Sequence, residues 1–177
     1  MSSTPKEALH MSFLSAHDHG LQSNPLDILE DIVTANEWLF DRSNDDELIV
    51  ELAGRWCHYR MFFVWQREIG TLQFSCQFDM RVPDAKRSDV HDLLAMLNNR
   101  LWLGHFDLET QQNTPLFRYT VLTRGERMPG VEMLEDLVEI ALTECERFYP
   151  AFQFVIWGGK RPGEAMAASM IDTAGQA

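Results

Sequence analysis

The segment Thr71 to Met80 constrains the fold more than any other stretch of the chain. Leu72, Phe74, Cys76, Phe78 and Met80 alternate strictly with Gln73, Ser75, Gln77 and Asp79. A period of two places one set on a core and the other toward solvent, which is the pattern of an antiparallel sheet with one covered face. A chain carrying this strand needs further strands beside it and something apolar laid over the inner face. Leu48, Val50 and Leu52 repeat the alternation against Glu47, Ile49 and Glu51. The run Trp56 to Trp65 is read as one long strand, with Cys57, Tyr59, Met61, Phe63 and Trp65 on one face. Its other face carries Trp56, His58, Arg60, Phe62 and Val64. Two shorter strands are expected at Phe106 to Glu109 and Leu116 to Thr123, joined by the loop Gln111-Gln112-Asn113-Thr114.

Helical spacing appears in three other places. Asn24-Pro25 reads as an N-cap with proline at the first helical position, and Leu26, Leu29, Ile32 and Val33 continue one stripe. Pro83-Asp84 opens a second helix, carried by Val90, Leu93, Leu94, Leu97 and Leu101 and stopped by Gly104. The strongest signal follows Pro129-Gly130, where Val131, Leu134, Val138, Ala141, Cys145 and Phe148 share a face. Pro150 is expected to kink or restart this helix, and Gly158-Gly159 to cap it. Pro162 then starts a short helix over Glu164 to Ile171. The order α-β-β-β-β-α-β-β-α predicts an α+β domain, an antiparallel sheet of about five to six strands with helices packed on one face. Residues 1–23 are read as a flexible tail, 24–160 as one domain and 161–177 as a short C-terminal helix and tail.

Charge and cysteine usage exclude several function classes. The formal charge of −12 opposes sequence-independent binding to nucleic acid and docking on anionic lipid. Lys86, Arg87 and Arg100 give the second helix some positive charge, but not the stripe that a duplex requires. Between Pro25 and Gly54 stand nine acids against the single base Arg42, and the long helix adds six more acids. That outside suits a soluble interaction domain able to steer a basic partner. Cys57, Cys76 and Cys145 are widely spaced, lie on predicted inward faces and form no C-x-x-C, so they read as inert core thiols of a reducing compartment. The stretch Met1 to Leu21 lacks the basic start and apolar run of a secretory signal, so a cytoplasmic protein is expected.

Motifs that carry chemistry are weak throughout. His17-Asp18-His19, with His10, lacks the fixed scaffold that a metal site needs. Gly158-Gly159-Lys160 departs from the phosphate-loop pattern, since no glycine stands five residues before Gly159 and Arg161 follows the lysine. Asp45-Asp46-Glu47 lacks cation-loop spacing. His105 and Asp107 share a strand face, but no nucleophile is placed near them. No catalytic residue, cofactor or metal is therefore expected. What remains is the two-sided apolar strand. Ile49, Trp56, Phe62, Val64, Val121 and Trp157 form the candidate interaction surface, covered most simply by a symmetric copy of the chain. The alternative is coverage by the segment Phe152 to Trp157. An enzyme or small-molecule-binding reading would instead require a pocket between sheet and helices near His105, Arg118 and Tyr119.

Three stretches are specific enough to resemble a known family. Asn99-Arg100-Leu101-Trp102-Leu103-Gly104-His105-Phe106-Asp107, Glu144-Cys145-Glu146-Arg147-Phe148-Tyr149-Pro150-Ala151-Phe152-Gln153-Phe154 and Trp157-Gly158-Gly159-Lys160 closely resemble YbjN-domain proteins of bacteria, which have been called sensory transduction regulators. The likeness runs from about Asn24 to the alanine-rich end. It implies an α+β domain similar in fold to type III secretion chaperones, which are small, acidic and generally dimeric. It attributes no catalytic residues. The expectation is a non-enzymatic homodimer that binds a still unidentified protein partner as a chaperone-like or regulatory adaptor, a step that rests on analogy of fold.

Overall fold

The computed structural model describes residues 24–123 and 128–174. The expected tail, its histidines and the last residues of the alanine-rich end lie outside these. The chain folds as α1 (Pro25–Ala35), β1 (Leu39–Asn44), β2 (Glu47–Ala53), β3 (His58–Gln66), β4 (Thr71–Phe78), a 3-10 turn (Asp84–Lys86), α2 (Arg87–Asn98), β5 (His105–Glu109), β6 (Thr114–Leu122), α3 (Val131–Ile156) and α4 (Pro162–Ala174). The fold is α+β, as the alternation predicts, with one more helix counted at the end.

One antiparallel sheet takes all six strands in the order β1-β2-β3-β4-β6-β5. The register stacks Leu48 on Phe63, Val50 on Met61, Phe63 on Phe74 and Phe74 on Tyr119. Those side chains meet Leu29, Ile32, Leu93, Leu97, Leu134, Phe148 and Phe152 from the helices in a single core. Phe106 sits at its centre, with ring centroids of Phe117, Phe148, Phe152 and Phe78 at 5.6, 5.9, 5.9 and 6.0 Å. Tilted and edge-on aromatic packing of this kind adds to area burial. The opposite face of the sheet carries no helix among the described residues.

Local signals explain most boundaries. Asn24 caps α1 through its side-chain oxygen, which accepts the Leu26 N–H at 3.0 Å. Three boundaries differ from the sequence reading. The long strand starts at His58 rather than Trp56, because Gly54 to Cys57 close a tight turn with Gly54 N–H on Cys57 O at 2.9 Å. Helix α2 ends at Asn98, six residues before Gly104, whose φ of +67° instead serves the approach to β5. Helix α3 runs unbroken through the buried Pro150 for 26 residues, since its neighbours Phe148, Tyr149, Ala151 and Phe152 are all anchored in the core. Beyond it, the Lys160 N–H reaches back to Phe154 O at 3.0 Å across Gly159, φ +65°, the helix stop that Gly158-Gly159 predicts. Helix α4 is no appendage: Ala165 and Met166 are buried in the common core.

Candidate functional site

The open sheet face is built by the even-numbered residues of β3 and their cross-strand partners. Ile49 pairs directly with Phe62, and Phe62 with Ser75 on its other side. Val64 lies between Glu47 and Gln73. All three apolar side chains are half-buried. Around them stand ion pairs: Arg60 Nη2 to Glu51 Oε1 at 2.6 Å, Arg67 Nε to Asp46 Oδ1 at 2.8 Å and Arg118 Nε to Asp107 Oδ2 at 3.4 Å. The result is a small apolar centre inside a balanced charged frame, the layout of an interface core and rim.

Of the six expected surface residues, Ile49, Phe62 and Val64 come together on this face. Val121 does not. It pairs with Leu72 and is 5% exposed in the main core, because β6 turns its odd-numbered residues toward the helices. Trp56 also leaves the face, since it precedes β3. Its ring stacks on Tyr149 at 6.3 Å, and its Nε1–H donates to Glu146 O at 3.1 Å. Trp157 caps α3 with 61% of its surface exposed, at the end of the sheet rather than over it.

That indole overhangs a cleft of about 900 Å³. Glu51 of β2, His58 and Arg60 of β3, Asp79 and Arg81 beyond β4, and Gln111 and Gln112 of the β5–β6 turn line it with Trp157. Two sets of contacts assemble the wall. The Val82 N–H donates to Asn113 O at 2.8 Å, and Asn113 Nδ2 to Asp84 Oδ1 at 3.0 Å, pinning the Asp79–Arg81 segment to the β5–β6 turn. Glu109 fixes the turn itself by accepting the N–H groups of Gln111 and Gln112 at 2.9 and 2.5 Å, and these bonds hold its carboxyl below the usual range. Sequence reasoning missed this cleft. Its polar groups come from separate elements and form no motif in the sequence.

The three residues expected to line a pocket between sheet and helices, His105, Arg118 and Tyr119, do not share one face of the sheet. His105 and Arg118 are cross-strand partners on the open face, whereas Tyr119 pairs with Phe74 and faces the helices. The three thiols do approach one another. Burial pushes the Cys57 thiol up to about 11, and burial with Cys76 alongside holds Cys145 well above the thiol range. Neither supplies a thiolate at neutral pH. Among the described residues, no group of three or more His, Cys, Asp or Glu is arranged to hold a metal ion, and no helix is long and apolar enough to cross a membrane. The cleft offers binding groups, Glu51, Arg60, Asp79 and Arg81 among them.

Comparison with known proteins agrees with the resemblance in sequence. Residues 25–154 match the YbjN family model, described as "Putative bacterial sensory transduction regulator". Among solved structures, the crystal structure of YbjN from E. coli, described as "a putative transcription regulator", aligns over 74% of this chain and 87% of that one, with 12% identity and a TM-score of 0.48. No curated protein matches. The family model spans most of the described fold, from α1 into the last turns of α3, and on that match the chain belongs to the YbjN family.

Proposed function

We propose that this protein is a non-enzymatic regulatory adaptor of the bacterial cytoplasm that works as a homodimer and binds a protein partner in a chaperone-like manner. The observation that carries the reading is the Ile49–Phe62 pair, flanked by Val64, on a sheet face that no helix covers among the described residues. Six strands at ~4.8 Å spacing and ~3.3 Å per residue give this face on the order of 600 Å² in projection. A standard interface buries ~800 Å² per partner, so the face and its rim match one side of a dimer. The acidic helices outside it favour encounter with a basic partner. Light scattering at micromolar concentration tests the reading. The expected mass is twice that of the 20.5 kDa chain; a clean monomer contradicts it.

The cleft beside Trp157 supports a second reading, that the regulator also holds a small ligand. Polar side chains from several elements converge there in one concave site, and its lining includes none of Ile49, Phe62 or Val64. Saturable perturbation of Trp157 by a small molecule is the expected sign.

A further inference from the structure

The charges in the cleft are unevenly used. Glu51 and Arg60 neutralise each other at 2.6 Å. Asp79 and Arg81 also line the cleft, and no hydrogen bond or ion pair engages either side chain among the described residues. Both are exposed while Met80 between them is 6% exposed, so the acid and the base project on the same side of the chain. Asp79 stands at the bend where the chain leaves β4, and a two-residue step of chain spans at most ~7 Å. Trp157 presents an exposed ring at the same cleft, and the amides of Gln77 and Gln112 line it.

We propose that this cleft binds a zwitterionic dipeptide, with its ammonium on Asp79, its carboxylate on Arg81 and an apolar side chain against Trp157. The proposal rests on the small-ligand reading of the cleft and names the ligand class. One free acid and one free base call for a ligand carrying both charges. The ends of an extended dipeptide lie ~6–7 Å apart, a span that a short Asp and a long Arg side chain attached two residues apart can bridge. A net-neutral ligand also avoids the repulsion that a chain of charge −12 exerts on an anion. The glutamine amides suit the central peptide group, and a cleft of about 900 Å³ leaves room for side chains and water.

The test is an NMR titration of the full chain, following indole N–H signals with that of Trp157 assigned through Trp157→Phe. The probes are glycyl-phenylalanine, its N-acetyl form, its C-terminal amide and the doubly capped form. Glycyl-phenylalanine is expected to shift the Trp157 signal saturably, with each single cap weakening binding about fivefold. Arg81→Gln removes the discrimination against the amide, and Asp79→Asn that against the N-acetyl form. Equal binding of the doubly capped peptide overturns the zwitterion assignment while leaving a ligand cleft. No saturable shift with any of the four overturns the dipeptide proposal, whereas the small-ligand reading falls only if a wider set of small polar solutes also leaves the Trp157 signal unmoved.

Discussion

The Glu146 carboxylate on α3 accepts the Arg55 backbone N–H at 2.8 Å, a bond between residues 91 positions apart that fastens the β2–β3 turn to the helix. Trp56 Nε1–H on the Glu146 carbonyl, at 3.1 Å, doubles the tie. Glu146→Ala leaves the turn donor without its acceptor and is expected to cost about 1–2 kcal/mol in urea unfolding. Glu146→Gln keeps an acceptor oxygen and is expected to cost less than half as much. Equal losses for the two variants would contradict a role for that hydrogen bond.

Tyr59 offers the opposite case. Its hydroxyl is buried, meets no nitrogen or oxygen partner among the described residues, and its pKa is raised first by burial and then by neighbouring charge. Its nearest polar neighbour is the Cys57 thiol, a weak partner, so removing the hydroxyl removes a desolvation cost at the loss of little bonding. Tyr59→Phe is therefore expected to leave stability unchanged or raise it by about 1 kcal/mol in the same unfolding assay. A loss above that size would mean that the hydroxyl is bonded.

Two left-handed glycines are expected to differ sharply when substituted. At Gly104, φ +67°, an added Cβ would sit 2.2 Å from Phe117 Cζ and 2.8 Å from Arg118 O, one in the core and the other main chain. At Gly159, φ +65°, nothing lies within 4 Å. Gly104→Ala combines backbone strain with overpacking and should cost more than about 2 kcal/mol; Gly159→Ala bears the strain alone, about 1 kcal/mol. Differential scanning calorimetry of the two variants reads the ranking directly.

The raised thiol of Cys57 sets a pH window. Its folded pKa, about 11, lies above the ordinary value of 9.0, so the unfolded chain loses its proton first as pH rises. The stability that this group contributes is complete below pH 9.0 and is lost as pH climbs toward 11. Tyr149, pushed up from 10.0 to about 12 by burial, acts in the same direction one step higher. Melting temperatures measured from pH 8 to 11 should fall, and Cys57→Ser should flatten the first part of that fall. Alkylation by iodoacetamide at pH 8 should be slow, and Cys57, half-buried, should react before the buried Cys76 and Cys145.

How far the sequence could be read follows from where its information is local. The alternation of Thr71 to Phe78, the Asn24 cap and the Gly158-Gly159 stop each act within a few residues, and each appears where local rules put it. Trp56 was misplaced because a turn that docks on α3 can carry on a strand's alternation without its ladder. Val121 was misplaced because β6 is bulky and apolar on both sides of its chain, with Leu116 and Leu122 on the open face and Phe117 and Val121 on the core. The cleft was illegible for a different reason. Glu51, Arg81, Gln112 and Trp157 meet only through the sheet register and the end point of α3, which no window of sequence contains.

Sedimentation equilibrium on the full chain and on Phe62→Asp tests the homodimer most directly. Phe62 is half-buried beside Ile49 on the open face, so a carboxylate there leaves the core intact but places a charge at the centre of the proposed contact. The account predicts a dimer for the unaltered protein and a monomer of unchanged circular dichroism for Phe62→Asp. An unaltered chain that sediments as a monomer, or a Phe62→Asp variant that remains dimeric, contradicts it.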